Sequence, residues 1–237
     1  VEPLSREVSE AIKNGEIFEG KVKKKEQMQT EKFTALGWDL KEAKSIVDIY
    51  KGNVLVESTK GVIHIGEIIE MIIEMFEDVM SAGPIAREPC IGLKVSIMDA
   101  KLHEDSIHRG PAQLYPAVRE GIRGAILNSG AVLYEPRQTL QFEAPAEFLG
   151  DIIKLVSNKR GQLLDTVQEG DHIVIKGKIP VAEMFGLASE VRSITSGRGA
   201  YFLVDQIYER LPDELQGKII QQIRERKGLK IEEETAE

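Results

Sequence analysis

The spacing of apolar residues separates the chain into two regions. From about residue 139 to residue 208, alternating and helical segments take turns. Leu140 and Phe142 fall on one side of a strand over 139–143, the period of two that a half-buried strand requires. Pro145 then opens a helix, with Phe148, Ile152, Leu155 and Val156 on one stripe and Gly161 as its C-cap. Residues 162–167 read as a second strand, Glu169-Gly170-Asp171 as a turn, and 172–179, rich in β-branched residues, as a third strand. Leu187, Val191 and Ile194 mark a second helix that stops around Gly197 and Gly199, and 201–207 is a last strand. The order βαββαβ predicts a ferredoxin-like split βαβ domain.

Residues 1–138 carry longer helical stripes. Ser5 is placed to cap a short helix with Val8, Ala11 and Ile12 inward and Gly15 closing it. Residues 16–37 are charge-rich and fit no single period. Asp39 caps a helix over 40–47, and 53–57 is a strand with Val54 and Val56 on one side. The clearest element is a helix over 65–81, whose broad apolar face includes Ile68, Ile72, Phe76 and Val79, stopped by Gly83-Pro84. Residues 91–100 alternate through Leu93, Val95 and Ile97. After the segment 101–110, Pro111 starts a helix that presents Leu114, Val118, Ile122 and Ile126 and ends at Gly130; 131–134 reads as a strand returning to the same sheet. A tail helix over 212–227 aligns Leu215, Ile219, Ile220 and Ile223. A helix of that length is marginal alone, so it must dock on one of the two domains. The Glu232-Glu233-Glu234 run behind it is expected to fray. The predicted fold class is α+β: two α/β domains of two layers, one in residues 1–138 and a ferredoxin-like one in residues 139–208, with residues 209–237 docked on one of them.

Length agrees with that division, since domains run on the order of 100–150 residues and the chain has 237. Hydrophobic residues make up 42% but aromatics only 5%, so the cores must be filled by Ile, Leu, Val and Met. The most apolar stretch, 65–80, is broken by Glu67, Glu70, Glu74, Glu77 and Asp78, far from the roughly 18–20 apolar residues of a membrane span. Val1-Glu2-Pro3-Leu4 has neither the basic nor the apolar region of a secretory signal. The single cysteine, Cys90, excludes an internal disulfide and a multi-cysteine zinc site, and fits a reducing cytoplasm. A net charge of −8 argues against coating nucleic acid by bulk electrostatics. Any RNA contact must come from local patches: Lys23-Lys24-Lys25, Asn158-Lys159-Arg160, Arg198, and the set Arg224, Arg226 and Lys227. Solvated surface charge is the simpler account of any one of these patches.

Chemistry concentrates in the segment before Pro111. The chain has four histidines, and two of them, His103 and His108, share this strand-to-helix loop, a place where rigid scaffolds tend to display functional side chains. Gly110 frees the backbone, the following helix start offers its positive end, and Arg109 adds charge that Glu104 and Asp105 partly offset. Four readings stand. The histidines can hydrogen-bond locally and do no chemistry. They can bind metal, although their spacing is not the i, i+4 of a helical zinc motif and no third ligand is evident. They can serve as acid and base, although no nucleophile with an orienting partner is nearby. They can touch RNA.

The run Leu102-His103-Glu104-Asp105-Ser106-Ile107-His108-Arg109-Gly110, followed by Gln113, resembles the signature loop of the elongation factor 2 family. Gly37-Trp38, Arg87-Glu88-Pro89, Glu143-Ala144-Pro145 and residues 201–211 are similar to that family too, so the resemblance covers essentially the whole chain. It implies that 1–138 is the factor's fourth domain, an α/β sandwich shared with a ribosomal protein, that 139–208 is the fifth, and that the tail helix returns to the fourth. It further implies that His108 is the residue converted to diphthamide, and is therefore exposed. His103, Asp105, Ile107, His108, Arg109 and Gly110 would form a tip that touches tRNA–mRNA in the decoding site, and Lys159, Arg160 and Arg198 would meet rRNA of the large subunit. Phe142 and Phe202 are candidates for base stacking on a sheet face, with core packing the simpler role for both. The implied partners are the ribosome, the diphthamide-synthesis enzymes and the N-terminal domains of the same factor; the chain itself is expected to be a monomer. No GxxxxGK[ST] phosphate loop occurs, so GTP hydrolysis, with GTP and Mg²⁺, belongs to a G domain outside this chain, and the chain has no catalytic or metal-binding residue of its own. The family's fourth domain is also expected to begin before Val1, with a further tip loop. A stand-alone RNA-binding protein of two α/β domains, or part of a related ribosome-maturation or spliceosomal GTPase, would share much of this pattern; the complete histidine loop favours the elongation factor.

Overall fold

A computed structural model describes residues 1–22 and 27–229 of the chain. The Lys23-Lys24-Lys25 patch and the Glu232-Glu233-Glu234 run lie outside the described residues. The chain divides into two compact units, Val1–Ala131 with Lys218–Glu237, and Val132–Gly217.

The first unit runs β1 (Glu2–Pro3), α1 (Arg6–Lys13), β2 (Gly20–Lys21), α2 (Gln27–Ala35), α3 (Leu40–Lys44), β3 (Ile46–Tyr50), β4 (Asn53–Glu57), α4 (Ile65–Ser81), β5 (Leu93–Ile97) and α5 (Pro111–Asn128). Its strands lie in the order β1-β5-β4-β3-β2. All neighbours are antiparallel except β4 and β5. Ser5 caps α1 by accepting the Val8 N–H at 3.3 Å, and Val8, Ala11 and Ile12 are the residues α1 buries. The helix begun by Asp39 is shorter than its sequence suggests: α3 ends at Lys44, and residues from Ile46 on form β3. Ile46 and Ile49 of β3 join Val54 and Val56 of β4 in a core with α1, α2 and α3. Leu55, between the two valines, enters a second core with α4, α5 and Val95. Successive strand residues point to opposite faces, so helices cover this sheet on both sides. Residues 131–133 form no strand of this sheet, and Tyr134 begins a strand of the other unit.

The second unit runs β6 (Tyr134–Pro145), α6 (Leu149–Asn158), β7 (Gln162–Glu169), β8 (His172–Pro180), α7 (Leu187–Ile194) and β9 (Ala200–Arg210), and leads into α8 (Asp213–Arg226). The βαββαβ order read from the sequence is present, and the all-antiparallel sheet β7-β8-β6-β9 places β8 between β6 and β7, the split of a ferredoxin-like domain. Leu140, Phe142, Ile152, Val156, Ile173, Ile175, Leu187 and Val191 form its core between α6, α7 and one sheet face. The unit boundaries fall at 131/132 and 217/218 instead of 138/139 and 208/209. The reason is that β6 starts at Tyr134 and stays paired with β9 as far as Arg210, which draws both flanks into this unit. The end of α6 also differs from expectation. Arg160, at φ 52, takes the left-handed position assigned to Gly161. Gly161 is required for closeness instead: a Cβ there would stand 2.6 Å from both Cγ1 and the carbonyl oxygen of Val156.

Candidate functional site

The segment joining β5 to α5 closes in a 3-10 turn, Ser106–Arg109. Asp105 builds the turn. Its Oδ1 accepts the Ile107 N–H at 3.0 Å and its carbonyl accepts the His108 N–H at 3.1 Å, the local side-chain pairing that lets aspartate start turns. The Asp105 N–H donates to Nδ1 of His103 at 3.1 Å, which leaves Nε2 as the nitrogen bearing hydrogen when that ring is neutral. The rings of His103 and His108 meet edge to face with centroids 4.5 Å apart. Both are exposed, and Ile107 beside them is 77% exposed. Leu102 anchors the other end of the loop by packing against the core of α4 and α5. Gly110 caps α5, its carbonyl accepting the N–H groups of Gln113 and Leu114.

Arg109, expected among the outward contacts of this tip, turns inward. Its side chain is only 8% exposed, and Nη2 lies 3.0 Å from Oε2 of Glu67. Nη1 donates to the His103 carbonyl at 3.2 Å. The guanidinium is thus neutralised by a carboxylate and ties the two ends of the histidine segment together. Glu67, in the first turn of α4, also meets Nδ1 of His64 at 2.5 Å. His64 holds a left-handed backbone at φ 70 just before that helix. Three of the chain's four histidines therefore belong to one connected network. Sequence reasoning treats Glu67 only as an interruption of an apolar run and does not single out His64. Nothing local distinguishes Glu67 from the other acids of α4; only the tertiary fold brings it to Arg109. Among the described residues, no three His, Cys, Asp or Glu side chains gather as a metal-ligand set.

The three basic side chains expected to meet rRNA already face carboxylates of their own unit. Lys159 is 2.5 Å from Glu190. Arg160 is 2.9 Å from both Glu135 and Glu183. Arg198 is 2.5 Å from Glu147, with its guanidinium 4.8 Å from the centre of the Phe148 ring. In the tail set, Lys227 reaches the carbonyls of Ala86 and Arg87 and the carboxylate of Glu88. The two phenylalanines separate: Phe142 is fully buried in the core, whereas Phe202 is half exposed. Phe202 pairs across β6–β9 with Gln141, so it stands on the sheet face opposite Phe142. No helix among the described residues is long and apolar enough to cross a membrane.

Comparison with known proteins divides the chain in nearly the same place as its structure. The family described as "Elongation factor G, domain IV" matches residues 12–130, and "Elongation factor G C-terminus" matches residues 132–219. Elongation factor 2 of Nanoarchaeum equitans is 47% identical over 223 residues, which is 94% of this chain and 30% of that protein. Elongation factor 2 of Methanocaldococcus jannaschii is 47% identical over 233 residues, 98% of this chain and 32% of that protein. The same factor of Pyrococcus furiosus is 44% identical over 229 residues, 97% of this chain and 31% of that protein. The chain thus spans 30–32% of the length of the curated relatives it matches. With both of its units matched and its relatives so similar, the chain belongs to the elongation factor 2 family and carries the region that holds domain IV and the C-terminal domain.

Proposed function

We propose that this region is the ribosome-facing part of a GTP-dependent translocase, which moves tRNA–mRNA from the A to the P site, and that His108 is its diphthamide acceptor. The exposed ring of His108 on an anchored 3-10 turn carries this reading. An enzyme that modifies an imidazole must reach it, and a contact that acts on every codon must avoid reading bases. A cationic arm grown from His108 would meet that second need through phosphates, since phosphate contacts position without specifying sequence. With Arg109 paired to Glu67, the outward charge of the tip would come from the modification more than from the unmodified loop. His103, by its edge contact with the His108 ring, limits the directions that ring can take. The sequence has no GxxxxGK[ST] phosphate-binding motif. GTP hydrolysis would fall to other domains of the whole factor, and this region's part is contact and positioning in the cytoplasmic ribosome.

Trypsin cuts after Lys101 and Arg109 and should release residues 102–109 as one peptide. Produced in an archaeal host, that peptide should carry added mass on His108; produced in a bacterium, it should not. An unmodified peptide from a host whose own elongation factor 2 is fully modified overturns the proposal.

A further inference from the structure

The histidine turn holds itself together weakly. Within it, the N–H groups of Asp105, Ile107 and His108 are satisfied only by neighbours in the same loop. Its exposed run from His103 to His108 is followed by one buried side chain, Arg109. That side chain spans to α4, whose Ile68, Ile72, Phe76 and Val79 lie deep in the core of the unit. Arginine's rigid fork can serve a carboxylate and a carbonyl at once, which a lysine ammonium does with far less directional control. Here it serves Glu67 on one side and the His103 carbonyl on the other. The backbones beside both loop histidines are therefore referred to a single carboxylate on a well-packed helix.

We infer that Glu67 is a positioning residue for the histidine loop: through Arg109 it fixes the 3-10 turn and the direction in which the His108 ring is presented to the modifying enzymes. This rests on the reading of His108 as the modified residue. The carboxylate itself needs no contact with RNA or enzyme. Its role is to lock a presenting side chain through a supporting shell, and the His64 ring on its other oxygen restrains its rotamer.

The test uses the whole factor carrying Glu67→Gln, produced in an archaeal host, and compares it with the unsubstituted factor. Glutamine keeps the shape and removes the charge. Amide exchange at residues 105, 107 and 108 should quicken by about tenfold or more, as the loss of a charge-assisted hydrogen bond implies. Amides of Ile72 and Phe76 in α4 should keep their rates, which a general loss of fold would not allow. The fraction of the 102–109 peptide carrying modification should fall, and Glu67→Asp should restore part of it. Unchanged exchange in the loop overturns the inference, and so does faster exchange with undiminished modification. Absence of modification from the unsubstituted factor would strike the function proposed for His108 instead, and the exchange rates would still decide the role of Glu67.

Discussion

Asp48 should make the first unit less stable as pH rises. It lies in the middle of β3 with no exposed surface, and among the described residues no side chain hydrogen-bonds to either carboxylate oxygen. Lys21 is its partner across β2–β3, but the Lys21 ammonium goes to Glu70 at 2.5 Å. Burial, followed by repulsion from Glu77, pushes the Asp48 carboxyl from its ordinary 3.8 up to about 6, with the Ile49 backbone N–H and then Lys21 pulling the other way and Glu19 adding a smaller push. A carboxyl that holds its proton more tightly when folded favours the folded state at low pH. That advantage is complete below pH 3.8, declines as the unfolded chain ionises, and is lost once pH passes the folded value near 6. The full difference is about 3 kcal/mol, at about 1.36 kcal/mol per pH unit. Asp48→Asn removes the titration and keeps the shape. Any cost of burying an unpartnered amide is the same at every pH, so it cancels in the comparison. The substitution should therefore be about 2 kcal/mol more favourable at pH 8 than at pH 4. Urea unfolding followed by Trp38 fluorescence reads the correct unit, because the single tryptophan packs against that core, 4.8 Å from Phe33. Glu77→Gln should stabilise the parent at pH 8 and do little in the Asp48→Asn background, since the two act through one interaction. A stability difference between the parent and the Asp48→Asn protein that stays flat from pH 4 to 8 would refute the reasoning.

Two further outcomes concern the second unit. Gly161→Ala places a Cβ 2.6 Å from Val156 Cγ1 and 3.1 Å from Ile179 Cγ1; it should cost about 1–3 kcal/mol through overpacking, visible as faster amide exchange in β8, and unchanged exchange would show that the helix end can shift freely. Glu209, bonded to Lys178 at 2.6 Å and to Arg137 at 3.3 Å, is held below the usual carboxylate range chiefly by Lys178. Its contribution is present above the ordinary glutamate value and is lost as pH falls through the lower folded one. Glu209→Gln should therefore cost about 1–3 kcal/mol near pH 7, with the cost fading in acid, as circular-dichroism melts across pH would show.

The second unit is readable from sequence because each of its elements has a period of its own and the turns between them are marked. Gly170, at φ 62, closes the hairpin between β7 and β8 where the sequence places a turn. The four strands interleave with two helices whose buried residues recur at helical spacing, Ile152, Leu155 and Val156 in α6 and Leu187 and Val191 in α7. The first unit is harder for physical reasons. In β3, Ile46 and Ile49 face one core and Val47 and Tyr50 the other. A register shift between Ile46 and Asp48 breaks strict alternation, so the segment reads as the end of the helix before it. In β4 the alternation of Val54 and Val56 is plain in the sequence, but the equal burial of Leu55 is not, because coverage of the second face comes from α4 and α5. Residues 131–134 point to the wrong sheet for a related reason: a few apolar residues after a helix do not say which neighbour they will pair with, and β9 lies far along the chain.

At the histidine loop, the sequence can name residues but cannot orient them. An arginine next to an exposed histidine invites the idea of a cationic tip, and the helix start behind it strengthens that idea. The structure turns this charge inward because Glu67 is within reach. A guanidinium exposed to solvent would leave its ion pair screened and weak, whereas the enclosed one fixes the two backbone segments beside it. The same logic applies to Arg160, which joins Glu135 and Glu183. In both places a basic residue flanking an expected contact is spent on architecture. If His108 is the modified residue, as proposed, the affinity of this loop for phosphate would come from the group added to that exposed imidazole.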